Sequence, residues 1–114
     1  MQTLLEKSDV NSEELIALLQ ARENGKVDFL LVDVREDMEY KMSHIKGVDI
    51  LKPTTTFQQW GQEFLEDNKD KTLVFTCRTG ARSGQVKSVF EQNGHKNVIN
   101  HYGGIMSYRG PVER

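Results

Sequence analysis

The sequence has little cysteine, little net charge and no long apolar run. It contains one cysteine among 114 residues, and its formal net charge is -2. One cysteine cannot form an internal disulfide, and it excludes a structural zinc site built from cysteines. The small net charge gives no sign of nucleic-acid binding or of attraction to a membrane surface, and no apolar run approaches the ~20 residues that span a bilayer. We therefore expect no nucleic acid and no membrane as partner.

The length of the chain limits the number of domains. At 114 residues it can build one substantial hydrophobic core but not two. Its first residues, Met-Gln-Thr-Leu-Leu-Glu-Lys, lack the apolar core and the cleavage site of a signal peptide. These features predict a single cytoplasmic domain over residues 1–114.

Helical and strand patterns alternate along the chain. Apolar runs predict strands at residues 29–34, 48–51, 73–75 and 97–100. Apolar spacing and helix-start signals predict helices over residues 12–22, 37–42, 57–67 and 81–92, the first of them opened by a capping box of Asn11 and Glu14. The remaining predictions are an edge strand or leading turn within residues 1–10, a turn at 44–47, a helical turn at 105–108 and a polar tail after Pro111. The alternation indicates an α/β domain with a mainly parallel central sheet.

The only cysteine directly follows one predicted strand, in the stretch Cys77-Arg-Thr-Gly-Ala-Arg-Ser83, and a predicted helix comes next. In a strand–loop–helix unit, the N–H groups of the loop and of the helix N-terminus converge on the group that begins the loop. Arg78 and Arg82 add positive charge at the same place. These features should lower the pKa of the Cys77 thiol below its usual ~8.5 and make it a nucleophile at neutral pH.

The surroundings of this cysteine favour catalysis over a packing role. A lone cysteine at a strand end is more often a small buried hydrophobe. A core cysteine, however, needs neither Gly80, which frees the loop backbone, nor two neighbouring arginines. Ligands of parallel sheets also bind at the carboxyl ends of the strands, where Asp33 and Arg35 follow another predicted strand.

Three separated motifs occur between residues 29 and 108. They are Asp33-Val-Arg-Glu36 with Glu39-Tyr40 and His44-Ile-Lys-Gly47-Val48, then the Cys77 loop, then Gly103-Gly-Ile-Met-Ser-Tyr108. In order and spacing they resemble the motifs of the single-domain rhodaneses, which are sulfurtransferases. Ser43 replaces the usual glycine and Tyr108 the usual tryptophan, and we interpret both as packing variations. The resemblance implies a rhodanese-like three-layer α/β domain whose mainly parallel sheet is flanked by helices.

The resemblance also implies a two-step sulfur transfer. The Cys77 thiolate would take the outer sulfur of a small-molecule donor (thiosulfate or a polysulfide) or of a protein persulfide. The Cys77 persulfide would then pass that sulfur to a thiophilic acceptor: cyanide, a thiol or a sulfur-acceptor protein. We expect no cofactor. The motifs leave the physiological donor and acceptor open.

The roles of the other site residues follow from the same comparison and from their chemistry. Arg78 and above all Arg82 would orient thiosulfate and neutralise the departing sulfite, a bidentate task suited to guanidinium. Ser83 would cap the following helix or donate to the bound sulfur. Asp33 is predicted to be a structural carboxylate paired with Arg35 or with loop amides. The predicted loop that binds substrate and persulfide comprises Arg78, Thr79, Gly80, Ala81, Arg82 and Ser83.

The histidines are predicted to be structural. A thiolate held by loop dipoles needs no base, so His44 is not needed to activate Cys77. His95 and His101 have no companions at metal-ligand spacing, and we predict no metal.

We consider three alternatives to the sulfurtransferase: a related phosphatase or arsenate reductase, a docking module and a persulfide carrier. Related dual-specificity phosphatases use a loop one residue longer than Cys77-x-x-x-x-Arg82, so the loop here is too short to surround phosphate, and an arsenate reductase that forms an internal disulfide needs a second cysteine. A docking module often lacks the cysteine, whereas Cys77 is present with its loop intact. A persulfide carrier for sulfur trafficking would use the same chemistry.

Overall fold

The computed structural model describes residues 3–114, and their helices and strands alternate along most of the chain. The strands are β1 (Asp9–Val10), β2 (Leu30–Asp33), β3 (His44–Ile45), β4 (Ile50–Leu51), β5 (Leu73–Thr76), β6 (Val98–His101) and β7 (Val112–Glu113). The α-helices are α1 (Ser12–Glu23), α2 (Asp37–Met42), α3 (Phe57–Asp67) and α4 (Ala81–Gln92), with 3-10 turns at Leu4–Glu6, Thr54–Thr56 and Ile105–Ser107.

A five-stranded parallel sheet forms the centre, with strand order β1-β6-β5-β2-β4. The central strands β2 and β5 are buried almost throughout, which explains why their sequences are continuous apolar runs rather than alternating ones. This sheet and its flanking helices confirm the predicted α/β class.

Helices cover the two faces of the sheet. On one face, Leu15 and Leu18 of α1 pack on Leu31 and Val74. On the other, residues of α3 and α4 pack on the strand residues that alternate with these. That cluster includes Trp60, Phe64, Val86, Phe90, Val32, Leu73 and Phe75. The result is three layers, as expected.

The start of α1 forms as predicted. The Asn11 side chain accepts the Glu14 N–H at 2.8 Å, and the Glu14 carboxylate accepts the Asn11 N–H at 2.9 Å. This reciprocal pair satisfies two donors that a helix N-terminus otherwise leaves free. In the leading segment, a turn and the edge strand β1 both form, whereas Met1 and Gln2 of that prediction lie outside the described residues.

Two predictions about the periphery were correct only in part: residues 46–47 form the predicted turn, but strands occur where none was expected. Residues 44–47, predicted as a turn, begin with β3, and the predicted polar tail contains β7. The two strands pair antiparallel, His44 opposite Glu113 and Ile45 opposite Val112. Each strand has only two residues, so neither can show a periodic pattern in the sequence.

The carboxyl ends of the central strands meet at one edge of the sheet. Asp33, the last residue of β2, lies opposite Thr76, the last residue of β5, and Phe75 lies opposite Asn100 of β6. Parallel register therefore places Cys77 beside the segments that follow β2 and β6. None of the helices formed by residues 3–114 has the length and apolarity needed to cross a membrane.

Candidate active site

Cys77 lies one residue beyond β5, at the bottom of a short loop. Its side chain is 1% exposed. Its sulfur accepts hydrogen bonds from the Gly80 N–H at 3.1 Å, the Ser83 N–H at 3.5 Å and the Ser83 hydroxyl at 3.4 Å. Three donors thus converge on one buried sulfur atom.

These donors change the acidity of the thiol. Burial by itself raises the pKa of Cys77, because a buried thiolate loses its hydration. Hydrogen bonds from the Ser83 hydroxyl and from the N–H groups of Ser83, Gly80 and Thr79 together outweigh burial, and the pKa of Cys77 is lowered. The hydrogen bonds therefore favour the thiolate, which is the nucleophilic form of cysteine.

Two glycines allow the loop to pack against the segment after β6. Gly80 has φ = 98° and Gly104 has φ = 64°, both in the left-handed region. A Cβ atom on Gly80 would overlap the carbonyl of Tyr102, and one on Gly104 would overlap the carbonyl of Arg78. Each position therefore requires glycine, both for its backbone conformation and for the close approach of the other segment.

Hydrogen bonds from β6 and the segment that follows it fix the carbonyl groups of the loop. The Ile105 N–H donates to the Cys77 carbonyl at 2.9 Å, and the Met106 N–H donates to the Arg78 carbonyl at 3.0 Å. The Asn100 side-chain amide donates to the Gly80 carbonyl at 3.1 Å. Loop carbonyls are bound on the outside, so the loop N–H groups remain directed at the sulfur.

Arg82 is paired with a carboxylate from another motif. Its two terminal nitrogens donate to the two carboxylate oxygens of Glu39 at 2.8 and 3.0 Å. Arg82 lowers the pKa of Glu39 to about 2, and the bond with Glu39 raises the pKa of Arg82. Glu39 lies on α2 and was quoted in the first motif, but its pairing with the loop was missed. One signal could have found it: a partly buried arginine needs an acidic partner, and Glu39 is a carboxylate in a neighbouring motif.

Asp33 and Arg35 form the buried pair that the sequence predicted. Their side chains meet at 2.8 to 3.1 Å, and the Arg35 N–H also donates to Asp33. Arg35 continues to the carbonyls of Ser43 at 2.7 Å and Glu39 at 3.4 Å. The pair thus joins the end of β2 to α2.

The other predicted loop residues divide between the surface and the interior. Arg78, Thr79 and Ala81 are exposed, whereas Gly80 and Ser83 are buried. The predicted capping role of Ser83 is wrong, because Gly80 is the N-cap of α4 and Ser83 lies within the first turn of the helix. Its hydroxyl instead donates to the sulfur, the other role that was considered.

The histidines contact other groups than Cys77. His44 is bound to the Tyr40 carbonyl at 3.1 Å and stacks on the Tyr40 ring, and His95 is bound to the Asn68 carbonyl at 2.8 Å. Within residues 3–114, no three His, Cys, Asp or Glu side chains are grouped to hold a metal ion.

A buried hydrogen-bond network beside the loop was missed by the sequence analysis. His101 contacts the Thr76 hydroxyl at 2.8 Å through Nδ1 and the Ser12 hydroxyl at 2.8 Å through Nε2. Ser12 in turn contacts Ser107 at 2.8 Å. Burial lowers the pKa of His101 to about 4, so the ring is neutral at pH 7. The network joins α1, β5, β6 and the last 3-10 turn.

Among known proteins, a curated relative is the protein named tRNA uridine(34) hydroxylase of Photorhabdus laumondii. It is 38% identical over 84 residues, which are 71% of this chain and 24% of the relative. A protein of the same name from Acinetobacter baumannii is 36% identical over 83 residues. The chain therefore spans about a quarter of the length of these relatives.

Solved structures share the fold over most of the chain. A rhodanese-like domain protein from Staphylococcus aureus has a TM-score of 0.71 and 26% identity, covering 94% of this chain and 97% of that one. The comparison with the model of the rhodanese-like domain agrees, since it matches residues 14–110. That range includes Cys77 and its loop, the Asp33–Arg35 pair and Glu39, and the chain belongs to the rhodanese-like domain family.

Proposed function

We propose that this domain is a sulfurtransferase that carries sulfane sulfur as a Cys77 persulfide. The observation that supports this most directly is the set of donors around one buried sulfur, from Gly80 and Ser83. They lower the pKa of Cys77, and the same donors would hold a persulfide, which is an anion extended by one sulfur atom.

The first step loads the enzyme. The Cys77 thiolate attacks the outer sulfur of the donor, a new S–S bond forms, and the S–S bond within the donor breaks. With thiosulfate, sulfite leaves with the bonding electron pair; with a persulfide, the donor thiolate leaves. No external oxidant or reductant is needed, because sulfane sulfur is only passed on.

The second step discharges the enzyme. A nucleophilic acceptor such as cyanide or a thiolate attacks the terminal sulfur of the persulfide. The S–S bond to Cys77 breaks, and Cys77 leaves as a thiolate with the electron pair. The hydrogen bonds from Gly80 and Ser83 stabilise this leaving group, so the same donors serve both steps.

The structure gives less support to the phosphatase alternative. A phosphatase loop needs its arginine directed at the phosphate, whereas Arg82 is bound by Glu39. If the protein transfers no sulfur, the docking module becomes the favoured alternative.

Intact mass spectrometry tests the proposal. The protein is incubated with thiosulfate or with polysulfide, and we expect a gain of the mass of one sulfur atom that cyanide removes. Because Cys77 is the only cysteine, Cys77→Ala should gain nothing. A wild-type protein that gains no sulfur from either donor, or a variant that still gains it, would contradict the assignment.

The curated relatives support a second candidate, namely that the domain belongs to a tRNA uridine hydroxylase. The supporting observation is the 38% identity over 84 residues. Incubation with transfer RNA, followed by nucleoside mass spectrometry, tests it. Uridine that gains oxygen with the wild-type chain but not with Cys77→Ala would favour this candidate, and unmodified RNA would count against it for this chain alone.

A further inference from the structure

The carboxylate of Glu39 is bound to Arg82, the arginine that a donor with a sulfonate group would use. Both of its oxygens bind the Arg82 fork at 2.8 and 3.0 Å. One of them also accepts the Glu36 N–H at 2.9 Å, at the start of α2. The pair is formed before any donor binds, and it occupies the end-on fork made by the two terminal nitrogens of Arg82 and offsets its charge.

The helix that carries Glu39 is itself anchored. Arg35, paired with Asp33 at the end of β2, donates to the carbonyls of Ser43 and Glu39. The backbone of α2 is thereby joined to the central sheet. Glu39 is therefore a positioned carboxylate rather than a side chain that moves freely away when an anion approaches.

The charges around the loop do not favour a dianion. Glu36 adds a second carboxylate, one oxygen of which is buried without a hydrogen-bond partner among the described residues. Arg78 is exposed and forms no salt bridge within residues 3–114, so its charge is well screened by water. With Arg82 neutralised by Glu39, the one unshared positive charge of the described loop is that of the exposed Arg78.

Exposed, largely apolar side chains are carried by segments that contact the loop or its arginine. Met38, next to Glu39, is 78% exposed, and Met106, whose N–H binds the Arg78 carbonyl, is 65% exposed. Tyr102, whose carbonyl lies against Gly80, is half exposed. Exposed methionine and tyrosine provide contacts for an organic group rather than for a small hydrated anion.

We propose that Glu39 is a specificity-determining residue that directs the loop toward persulfides of organic thiols and away from thiosulfate. This inference rests on the proposed sulfurtransferase function and names its donor class. An organic persulfide has no oxyanion that needs Arg82, and its carbon part can lie on the apolar side chains. Thiosulfate, in contrast, must displace Glu39 from Arg82 or bind without it.

The loading step with such a donor is balanced. The Cys77 thiolate attacks the outer sulfur of R–S–SH, and a bond forms between the two sulfurs. The S–S bond of the donor breaks, and R–S⁻ leaves with the electron pair. The proton of the outer sulfur passes to R–S⁻, so the donor leaves as the thiol R–SH and Cys77 ends as the persulfide anion that the loop donors hold.

The test compares two donors on two variants. Glu39→Gln removes the charge and keeps the shape of the side chain, so Arg82 becomes available to an anion. Glu23→Gln is the matched control, because it changes the net charge equally at an exposed residue at the end of α1, which packs on the face of the sheet opposite α4. Loading rates are measured by intact mass with thiosulfate and with the persulfide of 2-mercaptoethanol, which lacks an oxyanion.

The measured quantity is the ratio of the thiosulfate rate to the persulfide rate. We expect Glu39→Gln to raise this ratio roughly fivefold at low ionic strength, with a smaller rise at high salt, and Glu23→Gln to leave it unchanged. Sulfate should also protect Cys77 of Glu39→Gln from alkylation at lower concentration than in the wild type, a readout independent of transfer.

The outcomes separate the inference from the function on which it rests. A wild type that loads sulfur while Glu39→Gln keeps the same ratio overturns the role of Glu39 alone, and so does an equal loss with both donors, which would indicate that Glu39 only supports the loop. A wild type that loads from neither donor overturns the sulfurtransferase and the inference together.

Discussion

The hydroxyl of Ser83 allows a direct test of how the loop activates its cysteine. Ser83 is buried, and its hydroxyl lies 3.4 Å from the Cys77 sulfur. Ser83→Ala removes this one donor and leaves the N–H donors of Ser83 and Gly80 in place. The pKa of Cys77 should therefore rise in the variant, because the thiolate loses one of the hydrogen bonds that favour it.

The size of the effect follows from the energy of this bond. Hydrogen bonds to charged groups contribute about 1.5–3 kcal/mol, and a 3.4 Å bond to sulfur belongs at the lower end, about 1.5 kcal/mol. That energy corresponds to about a tenfold decrease in the ionisation constant of the thiol. At a pH well below the pKa of the wild-type thiol, the fraction of thiolate should fall by the same factor.

Alkylation with iodoacetamide measures this fraction as a function of pH. We expect the midpoint of Ser83→Ala to lie above that of the wild type, with a rate at full ionisation that is equal or slightly higher, because a thiolate of higher pKa is more nucleophilic. Ser88→Ala is the matched control, because Ser88 lies exposed on the same helix, α4. An unchanged midpoint would refute the hydrogen-bond reasoning, and a lower rate at high pH would indicate altered access to the sulfur instead.

Two further predictions concern stability. The pKa of His101 is about 4 in the folded protein and near 6.5 in an unfolded chain, so only the unfolded chain gains this proton as pH falls from 6.5 to 4. The free energy of unfolding should then drop by roughly 3 kcal/mol over that range. Urea unfolding of wild type and His101→Gln measures this, and the free energy of the variant should depend less on pH. An equal pH dependence in both proteins would exclude His101 as the cause. Asp33→Asn leaves Arg35 buried without its partner and should cost about 3–5 kcal/mol in the same assay, whereas a loss below ~1 kcal/mol would mean that the pair is well hydrated.

The local features of the chain were predictable from its sequence. The capping box of Asn11 and Glu14, the buried strands β2 and β5 and the loop that begins at Cys77 each depend on residues close together in the sequence. Their patterns are therefore complete within a short window. The pair of Asp33 and Arg35 was predictable for the same reason, since the two residues are two positions apart along the chain.

The features that were missed depend on residues far apart in the sequence. Glu39 and Arg82 are separated by 43 positions, and Ser12 and His101 by 89. Neither residue of such a pair indicates its partner, because the contact exists only once the sheet has brought the segments together. Ser83 was ambiguous for another reason: the same hydroxyl can cap a helix or bind a sulfur, and only the position of Gly80 as N-cap decides between the roles. The cytoplasmic location stays a prediction.

The hydrogen bonds to the loop carbonyls have a consequence for protein synthesis. Asn100, Ile105 and Met106, which bind the carbonyls of Gly80, Cys77 and Arg78, leave the ribosome well after the cysteine does. A nascent chain that ends before Asn100 contains the thiol without the segment that fixes its loop. We therefore expect the thiol of such a chain to keep the pKa of an ordinary cysteine until residues 100–106 have folded onto the loop.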